Sequence, residues 1–172
     1  GVTRQTRHLI NQPFGYEVDD IVCVEFPSDE NRFHDELKSL TYVDKIGAYG
    51  SLPTQWTMTG LRNNATGKYD NIGFIDGNRD FFDILGIRII DDNTSVSAET
   101  EEGKWYVCES AYEGLSQYMT DGMLNFFNAK PLGGIVEDIK IGNVKEEAYS
   151  KTPFVNVIDI PEMIRYGSLI MK

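Results

Sequence analysis

The same succession of patterns occurs twice in this sequence: a β-rich run, then a helical segment, then a second β-rich run. In the first part, DIVCVEF (residues 20–26) is nearly all apolar, which is typical of a strand buried on both faces. Ser28 and Asp29 are suited to cap a helix that runs to about Leu40, and TYVDKIGAYG (41–50) has the pattern of the next strand. This order predicts a βαβ-type unit.

The second part repeats the order nearer the C-terminus. KWYVCE (104–109) predicts a strand, and SAYEGLSQYM (110–119) predicts a helix capped by Ser110, with Ala111, Leu115 and Met119 on one face. Further strands are predicted in LGGIVEDIKI (132–141), TPFVNVIDI (152–160) and YGSLIM (166–171).

The middle of the chain has a different pattern. TQWTMTGLR (54–62) and KYDNIGFID (68–76) alternate apolar and polar residues around the turn sequence NNATG, as half-buried antiparallel strands do. NRDFFDILG (78–86) predicts a short helix that ends at Gly86. We therefore predict an α+β fold in which two βαβ-type motifs, at 1–50 and 105–172, flank a smaller β-rich inserted part at 51–104.

Charge disfavours several classes of partner. The formal net charge is −11, and lysine and arginine are scattered without forming a basic stripe. Nucleic acids and anionic membranes bind clustered positive charge, so neither is an expected partner. No run of 18 apolar residues occurs, so the sequence predicts no membrane span. Gly1 is typical of the residue that tag removal leaves, so missing targeting signals do not indicate a cytoplasmic protein.

The residues suited to catalysis or metal binding are few. The two histidines, His8 and His34, have no partner at zinc spacing, and the two cysteines, Cys23 and Cys108, form no CxxC pair. Nucleophile-elbow and phosphate-loop sequences are missing. We therefore assign no catalytic, cofactor or metal residue and expect no enzyme. The cysteines sit in apolar runs and are interpreted as buried thiols; a disulfide between them is the alternative.

Glu137 and Asp138 form the acidic pair that most resembles an acid/base site. Neighbours in a strand point to opposite faces, so the two carboxylates cannot converge on one substrate without a bulge. We interpret them as the point at which a strand emerges from the core.

Four motifs in order resemble the periplasmic domain of MacB-like, or FtsX-like, ABC transporter permeases. They are FGYEVDD (14–20), which corresponds to the family's Gly-aromatic-Asp turn before the first strand, the stretch from Asp76 to Ile87 with Phe81 and Phe82, the strand GGIVEDIKIGNV (133–144), and the later Pro153. The resemblance covers about residues 11–158. The segment MTDGMLNFFNAK (119–130) departs from the family pattern, and this departure affects where the inserted part is placed.

The resemblance implies a porter-like part of two βαβ-type motifs with a smaller inserted part. It also implies a domain on the extracytoplasmic face of the inner membrane, in a permease that works with a second copy of itself and a cytoplasmic ATPase. A periplasmic or outer-membrane partner is a further implication. The domain would couple ATP-driven conformational change to export, lipoprotein release or signalling, without a cofactor.

Two other functions compete with that of a permease domain. A free-standing secreted module that binds a ligand or carbohydrate is the alternative, because Trp56, Trp105 and the nine tyrosines could stack on a ligand. A small enzyme is disfavoured. For the permease domain, we predict that Leu52, Trp56, Met58 and Leu61 contact a partner.

Overall fold

The structure is a computed structural model that describes residues 6–9, 22–25, 35, 38–39, 43–50, 57–139, 152–161, 163 and 168–171. His34, Leu52 and Trp56, the side chains of His8 and Cys23, and the apolar face of the first predicted helix lie outside these descriptions. Asp35 and Lys38 are helical, within the range where the sequence predicts that helix.

Twelve strands and two short α-helices are described. They are β1 (Thr6–Leu9), β2 (Val22–Glu25), β3 (Ile46–Ala48), β4 (Thr57–Arg62), β5 (Tyr69–Gly77), α1 (Arg79–Ile84), β6 (Ile89–Asp92), β7 (Lys104–Cys108), α2 (Glu109–Tyr112), a 3₁₀ turn (Leu115–Tyr118), β8 (Met119–Thr120), β9 (Met123–Leu124), β10 (Lys130–Val136), β11 (Phe154–Val157) and β12 (Ser168–Met171). The predicted α+β class is confirmed. Among the described residues, no helix has the length and hydropathy of a membrane span.

A four-stranded sheet joins the two ends of the chain in the order β1-β2-β12-β3. Each neighbouring pair in it is antiparallel. Because β2 and β3 are both antiparallel to β12, they run parallel to each other, as the first predicted βαβ-type motif requires. The last strand of the chain fills the space between them.

An eight-stranded sheet has the order β4-β5-β11-β7-β10-β9-β8, with β6 added at the far edge of β10. β7 and β10 are parallel neighbours, as the second βαβ-type motif requires. β5 pairs with β11, so strands from residues 51–104 share this sheet with strands from 105–172. The hydrogen-bonded sheet thus crosses the predicted boundaries, and the division of the chain into parts stays a prediction.

The predicted helix at 110–119 is wrong in its length and its cap. α2 begins at Glu109 with Cys108 as its N-cap and has only four residues, and the 3₁₀ turn follows Gly114. Glycine inside a helix is unfavourable because its backbone loses the most conformational freedom on ordering. Leu115 nevertheless faces the core, as its spacing predicts.

Two apolar clusters cover the faces of the large sheet. On one face, α1 places Phe81, Phe82 and Ile84 against the strands. On the other face, the 3₁₀ turn and β9 supply Leu115 and Leu124. The alternation in β11 explains this division, because Phe154 belongs to the second cluster and Val155 to the first.

One face of β4 is core and the other is surface, which generates a stability prediction. Leu61 has no exposed area, whereas Met58 is 44% exposed. Leu61→Ala is expected to lower the free energy of unfolding by about 2–5 kcal/mol because it leaves a cavity. Met58→Ala is expected to change it by less than about 0.5 kcal/mol. Urea unfolding of both variants checks this, and equal losses would contradict the assigned faces.

Candidate functional site

The two sheets meet where β3 reaches the turn between β5 and α1. Ala48 N donates to Asn78 Oδ1 at 3.0 Å, and Asn78 N donates to Ala48 O at 2.9 Å. A bridge between Tyr49 and Gly77 continues this contact. We call Gly47, Ala48, Gly77, Asn78 and Phe81 the joint.

Asn78 has two roles in the joint. It is the N-cap of α1, and its Oδ1 also accepts a hydrogen bond from Phe81 N at 3.0 Å. A cap of this kind satisfies one of the free N–H groups in the first helical turn. The same oxygen therefore fixes the start of α1 and the backbone of β3.

Two glycines make this close approach sterically feasible. A Cβ on Gly47 would lie 2.4 Å from Phe81 N, and one on Gly77 would lie 2.2 Å from the Phe81 ring. Real side chains do not tolerate such distances. Phe81 fills the space instead, with its ring stacked on Tyr49 at a centroid distance of 5.0 Å.

A cleft of about 350 Å³ lies beside the joint, between α1 and the segment that leads into β6. Its floor is apolar and includes Phe82, Val136, Val155 and Val157. Charged side chains form its rim: Arg79, Asp80, Asp83 and Arg88. Arg79 pairs with Asp159 at 2.8 Å, and Asp83 pairs with Lys45.

A buried lysine ties β6 to the centre of the large sheet. The Lys104 side chain is only 2% exposed, and its Nζ lies 2.6 Å from Asp92 Oδ1. Tyr106, which is fully buried, donates its hydroxyl to the same oxygen at 2.7 Å. Lys104 Nζ also lies 5.3 Å from the centre of the Tyr106 ring. Because a buried ammonium is costly without a partner, Asp92 is required for this arrangement.

The ionisation of this network follows from its geometry. The hydrogen bond from Lys104, followed by that from Tyr106, lowers the pKa of Asp92. Burial, followed by the hydrogen bond to Asp92, raises the pKa of Tyr106. The stable state is therefore an ionised aspartate between a lysine and a neutral tyrosine.

Glu137 and Asp138 do not converge. β10 ends at Val136, and the Glu137 carboxylate accepts two hydrogen bonds from Arg88, at 2.6 and 3.0 Å. Asp138 Oδ1 instead accepts from Ser110 N at 2.9 Å, in the first turn of α2. The interpretation of these acids as the exit of a strand is confirmed.

Cys108 is a free thiol, which excludes the alternative of a disulfide with Cys23. Its Sγ lies 3.3 Å from Thr152 O, and burial raises the pKa of the thiol to about 12. A thiol in this state is a weak nucleophile at neutral pH. Within the described part of the chain, no group of three or more His, Cys, Asp or Glu side chains is arranged to hold a metal ion.

One predicted partner-contact residue needs correction. Leu61 is fully buried in the cluster with Val107 and Phe154, so it is a core residue. The reason is the alternation of side chains along a strand, because Met58 and Leu61 are three residues apart and therefore point to opposite faces. Met58 is exposed, so its partner contact stays a prediction, while Leu52 and Trp56 lie outside the described residues.

Neither Asn78 nor Lys104 was predicted from the sequence. A cap signal was present for Asn78, because an asparagine follows a strand and precedes the helix that contains Phe81 and Phe82. Lys104 gave no signal, because a lysine at the start of a strand is normally exposed.

No family model and no curated protein sequence matches this chain. The solved structures that resemble it include two from bacterial proteins. A domain of a protein described as a permease, from Porphyromonas gingivalis, has a TM-score of 0.53 at 12% identity over 81% of this chain. The periplasmic region of MacB from Actinobacillus actinomycetemcomitans has a TM-score of 0.52 at 12% identity over 86% of this chain. This chain has the fold of the MacB periplasmic region.

The resemblance deduced from the sequence is thus confirmed at the level of the fold. The chain covers 65% of the length of each of these two solved domains. At 12% identity the likeness to the MacB region concerns the backbone arrangement, and function requires its own argument.

Removal of the Asn78 amide is expected to weaken the joint. Asn78→Ala deletes a helix cap and leaves Ala48 N without its acceptor, so we expect a loss of about 2–4 kcal/mol in the free energy of unfolding. Asn78→Asp keeps an acceptor oxygen and is expected to lose less than half as much. Thermal unfolding and amide exchange at Ala48 measure both effects. Unchanged exchange at Ala48 in Asn78→Ala would contradict the role of this bond.

The Asp92 network predicts a pH dependence. Because the pKa of Asp92 is lowered in the folded state, its stabilising effect is complete above the unfolded pKa, near 4, and is lost as pH falls through the folded pKa. Asp92→Asn should therefore destabilise the protein at pH 7, and the difference from wild type should shrink below about pH 4. Urea unfolding at several pH values measures this. Asp91→Asn is the matched control for the loss of one negative charge on β6.

Proposed function

We propose that this chain is the extracytoplasmic domain of an ABC transporter permease of the MacB-like or FtsX-like kind, and that it relays conformational change. The observation that carries the proposal is the fold, which it shares with a domain of a protein described as a permease and with the MacB periplasmic region. The ordered sequence motifs support the same assignment independently of the backbone.

The four-stranded sheet is the part that would receive movement from the membrane. Its strands β1 and β12 come from opposite ends of the chain, and both pair with β2. Membrane segments attached before β1 and after β12 would therefore act on one hydrogen-bonded unit. A displacement of either segment would move this whole sheet, because strands in a ladder do not slide independently.

The joint would pass this movement to the large sheet. Asn78 binds both backbone groups of Ala48, and Gly50 N donates to Asp76 O at 2.9 Å beside it. The stacked Tyr49 and Phe81 rings fill the remaining space. A contact made of backbone hydrogen bonds and tightly packed rings transmits displacement better than a flexible linker does.

A relay role also fits the contacts of the residues that could have been catalytic. Glu137 binds Arg88, Asp138 binds the first turn of α2, and Cys108 is a buried neutral thiol. Each of these side chains has a structural partner. We therefore propose that the domain acts without catalysis, together with a second copy of the permease and a cytoplasmic ATPase. Met58 stays a proposed contact for a periplasmic or outer-membrane partner.

A ligand-binding module is the less well supported function. Trp105, on which that alternative partly rested, packs against Phe74 and Phe126 at centroid distances of 5.0 and 4.6 Å. A ring held this way by its neighbours is a packing residue of the second cluster. Trp56, the other tryptophan, lies outside the described residues.

The location of the domain is tested in the full-length natural protein by cysteine labelling. Phe127 is 89% exposed, so Phe127→Cys in a Cys23→Ala background provides a reactive surface thiol. We expect a membrane-impermeant maleimide to label cells stripped of any outer membrane as fully as it labels lysed cells. The same protein without the Phe127 change is the control. Labelling that appears only after lysis would overturn the extracytoplasmic assignment.

Coupling is tested with the joint in the reconstituted transporter. At a temperature where the domain remains folded, Asn78→Ala is expected to reduce substrate- or partner-stimulated ATP hydrolysis while the basal rate is retained. Asn78→Asp, which keeps the acceptor, is expected to preserve the stimulation. Equal stimulation in all three proteins would show that the joint does not relay movement.

A further inference from the structure

Strand β6 forms an exposed edge of the large sheet. It pairs with β10 and with no other described strand. All four of its residues are exposed, including Ile89 at 43% and Ile90 at 50%. Natural proteins limit pairing at such edges with short strands, charged side chains and bulges, and β6 has four residues, two aspartates and a register shift against β10. Its two isoleucines are nevertheless exposed.

The hydrogen-bond register shows which backbone groups of β6 face outward. Glu137 N donates to Arg88 O at 2.9 Å, and Asn93 N donates to Gly133 O at 2.8 Å. These bonds flank the pairs Val136–Ile89 and Gly134–Asp92, which are therefore pairs of the non-hydrogen-bonded class. Between them β6 has one residue more than β10, so the register shift makes Ile90 a bulge. The N–H and C=O groups of Ile89 and Asp92 point away from β10, and no other described strand pairs with this edge of β6.

The outer edge of β6 is held firmly in place. Asp92 is fixed by Lys104 and Tyr106, and Arg88 is fixed by Glu137. Gly134 lets the two strands approach, because a Cβ there would lie 2.0 Å from Asp91 O. An edge that is already ordered loses little conformational entropy when another strand pairs with it.

The unpaired carboxylates near β6 favour an added strand that is basic. Asp91 has no lysine or arginine within ion-pair distance among the described residues, and Asp80 across the cleft has none either. The cations at this edge, Arg88 and Lys104, are already paired with carboxylates. The net charge of the chain is −11. A basic segment is thus attracted and an acidic one repelled.

Strand β4, at the opposite edge of the sheet, differs from β6 in its exposure and in its charge. β4 has two exposed residues at its start, but Leu61 near its end is buried. Its charged residue is Arg62, and the strand has no carboxylate. A basic segment has no electrostatic reason to pair there, which makes the exposed Thr57 on β4 a control site.

We propose that β6 is a docking edge for an extended, basic and β-branched peptide segment of a partner protein. The segment adds to the sheet as a further strand, with backbone hydrogen bonds to Ile89 and Asp92, apolar side chains beside Ile89 on one face, and a lysine or arginine near Asp91 on the other face. This proposal stands on the edge itself and does not depend on the permease function.

The test uses two acetylated and amidated hexapeptides with alternating valine, one carrying lysine and the other glutamate at the intervening positions. Amide exchange and NMR shifts of the isotope-labelled protein are measured as each peptide is added. The lysine peptide is expected to slow exchange of the Ile89 and Asp92 amides about tenfold at a peptide concentration of about 1 mM, and the glutamate peptide to have no effect.

Three variants locate the interaction. Ile89→Pro removes an outward donor without removing a bond to β10, and it is expected to weaken binding about tenfold. Ile90→Lys, an exposed substitution that preserves folding, is expected to weaken binding through repulsion of the basic peptide. Thr57→Lys on β4 is expected to leave binding unchanged.

Several results would overturn the proposal. They are equal binding of both peptides, protection that appears on β4 instead of β6, binding that is unchanged in folded Ile89→Pro and Ile90→Lys, or no protection at Ile89 and Asp92 with either peptide.

Discussion

The close approach of β3 to the turn between β5 and α1 is the contact on which the arrangement of the two sheets depends. It requires the absence of side chains at Gly47 and Gly77, whose Cβ positions are taken by Phe81. It also requires Asn78, whose single oxygen serves the start of α1 and the backbone of β3. Because α1 also covers one face of the large sheet, this short helix belongs to the cores of both layers. A substitution at the joint is therefore expected to affect the packing of both sheets.

A second constraint is electrostatic. Lys104 is almost fully buried, and this is tolerated because Asp92 and Tyr106 satisfy its charge within the sheet. The consequence is mechanical, since Asp92 lies on β6 while Lys104 and Tyr106 lie on β7, with β10 between these two strands. The network thus fastens an exposed edge strand across its neighbour. That explains how a four-residue strand with every residue exposed keeps a fixed position.

These features fit the proposed roles of the domain in relaying movement and in docking a partner. The carboxylates and the thiol that could have taken part in catalysis are committed to an arginine, a helix terminus and the core. The surface groups that are available for binding are backbone groups at the sheet edge and exposed apolar side chains. Edges and surfaces of this kind recognise polypeptides, because backbone hydrogen bonds and apolar contacts are what an extended chain offers.

The sequence by itself determined the local elements. Alternation located β4 and β5, β-rich runs located β10 and β11, and the pattern of NRDFFDILG before Gly86 located α1, because these patterns depend on neighbours a few residues apart. The fold class and the family resemblance followed from their order. Only the tertiary structure decided the pairing: that β12 separates β2 from β3, that β5 joins β11, and that Lys104 is buried against Asp92. Such contacts join residues far apart in the chain, so no local pattern specifies them, and the same alternation would suit several partners. Leu61 shows this limit, because the sequence prediction grouped it with Met58 as a partner contact, whereas packing shows that Leu61 lies in the core and Met58 on the surface.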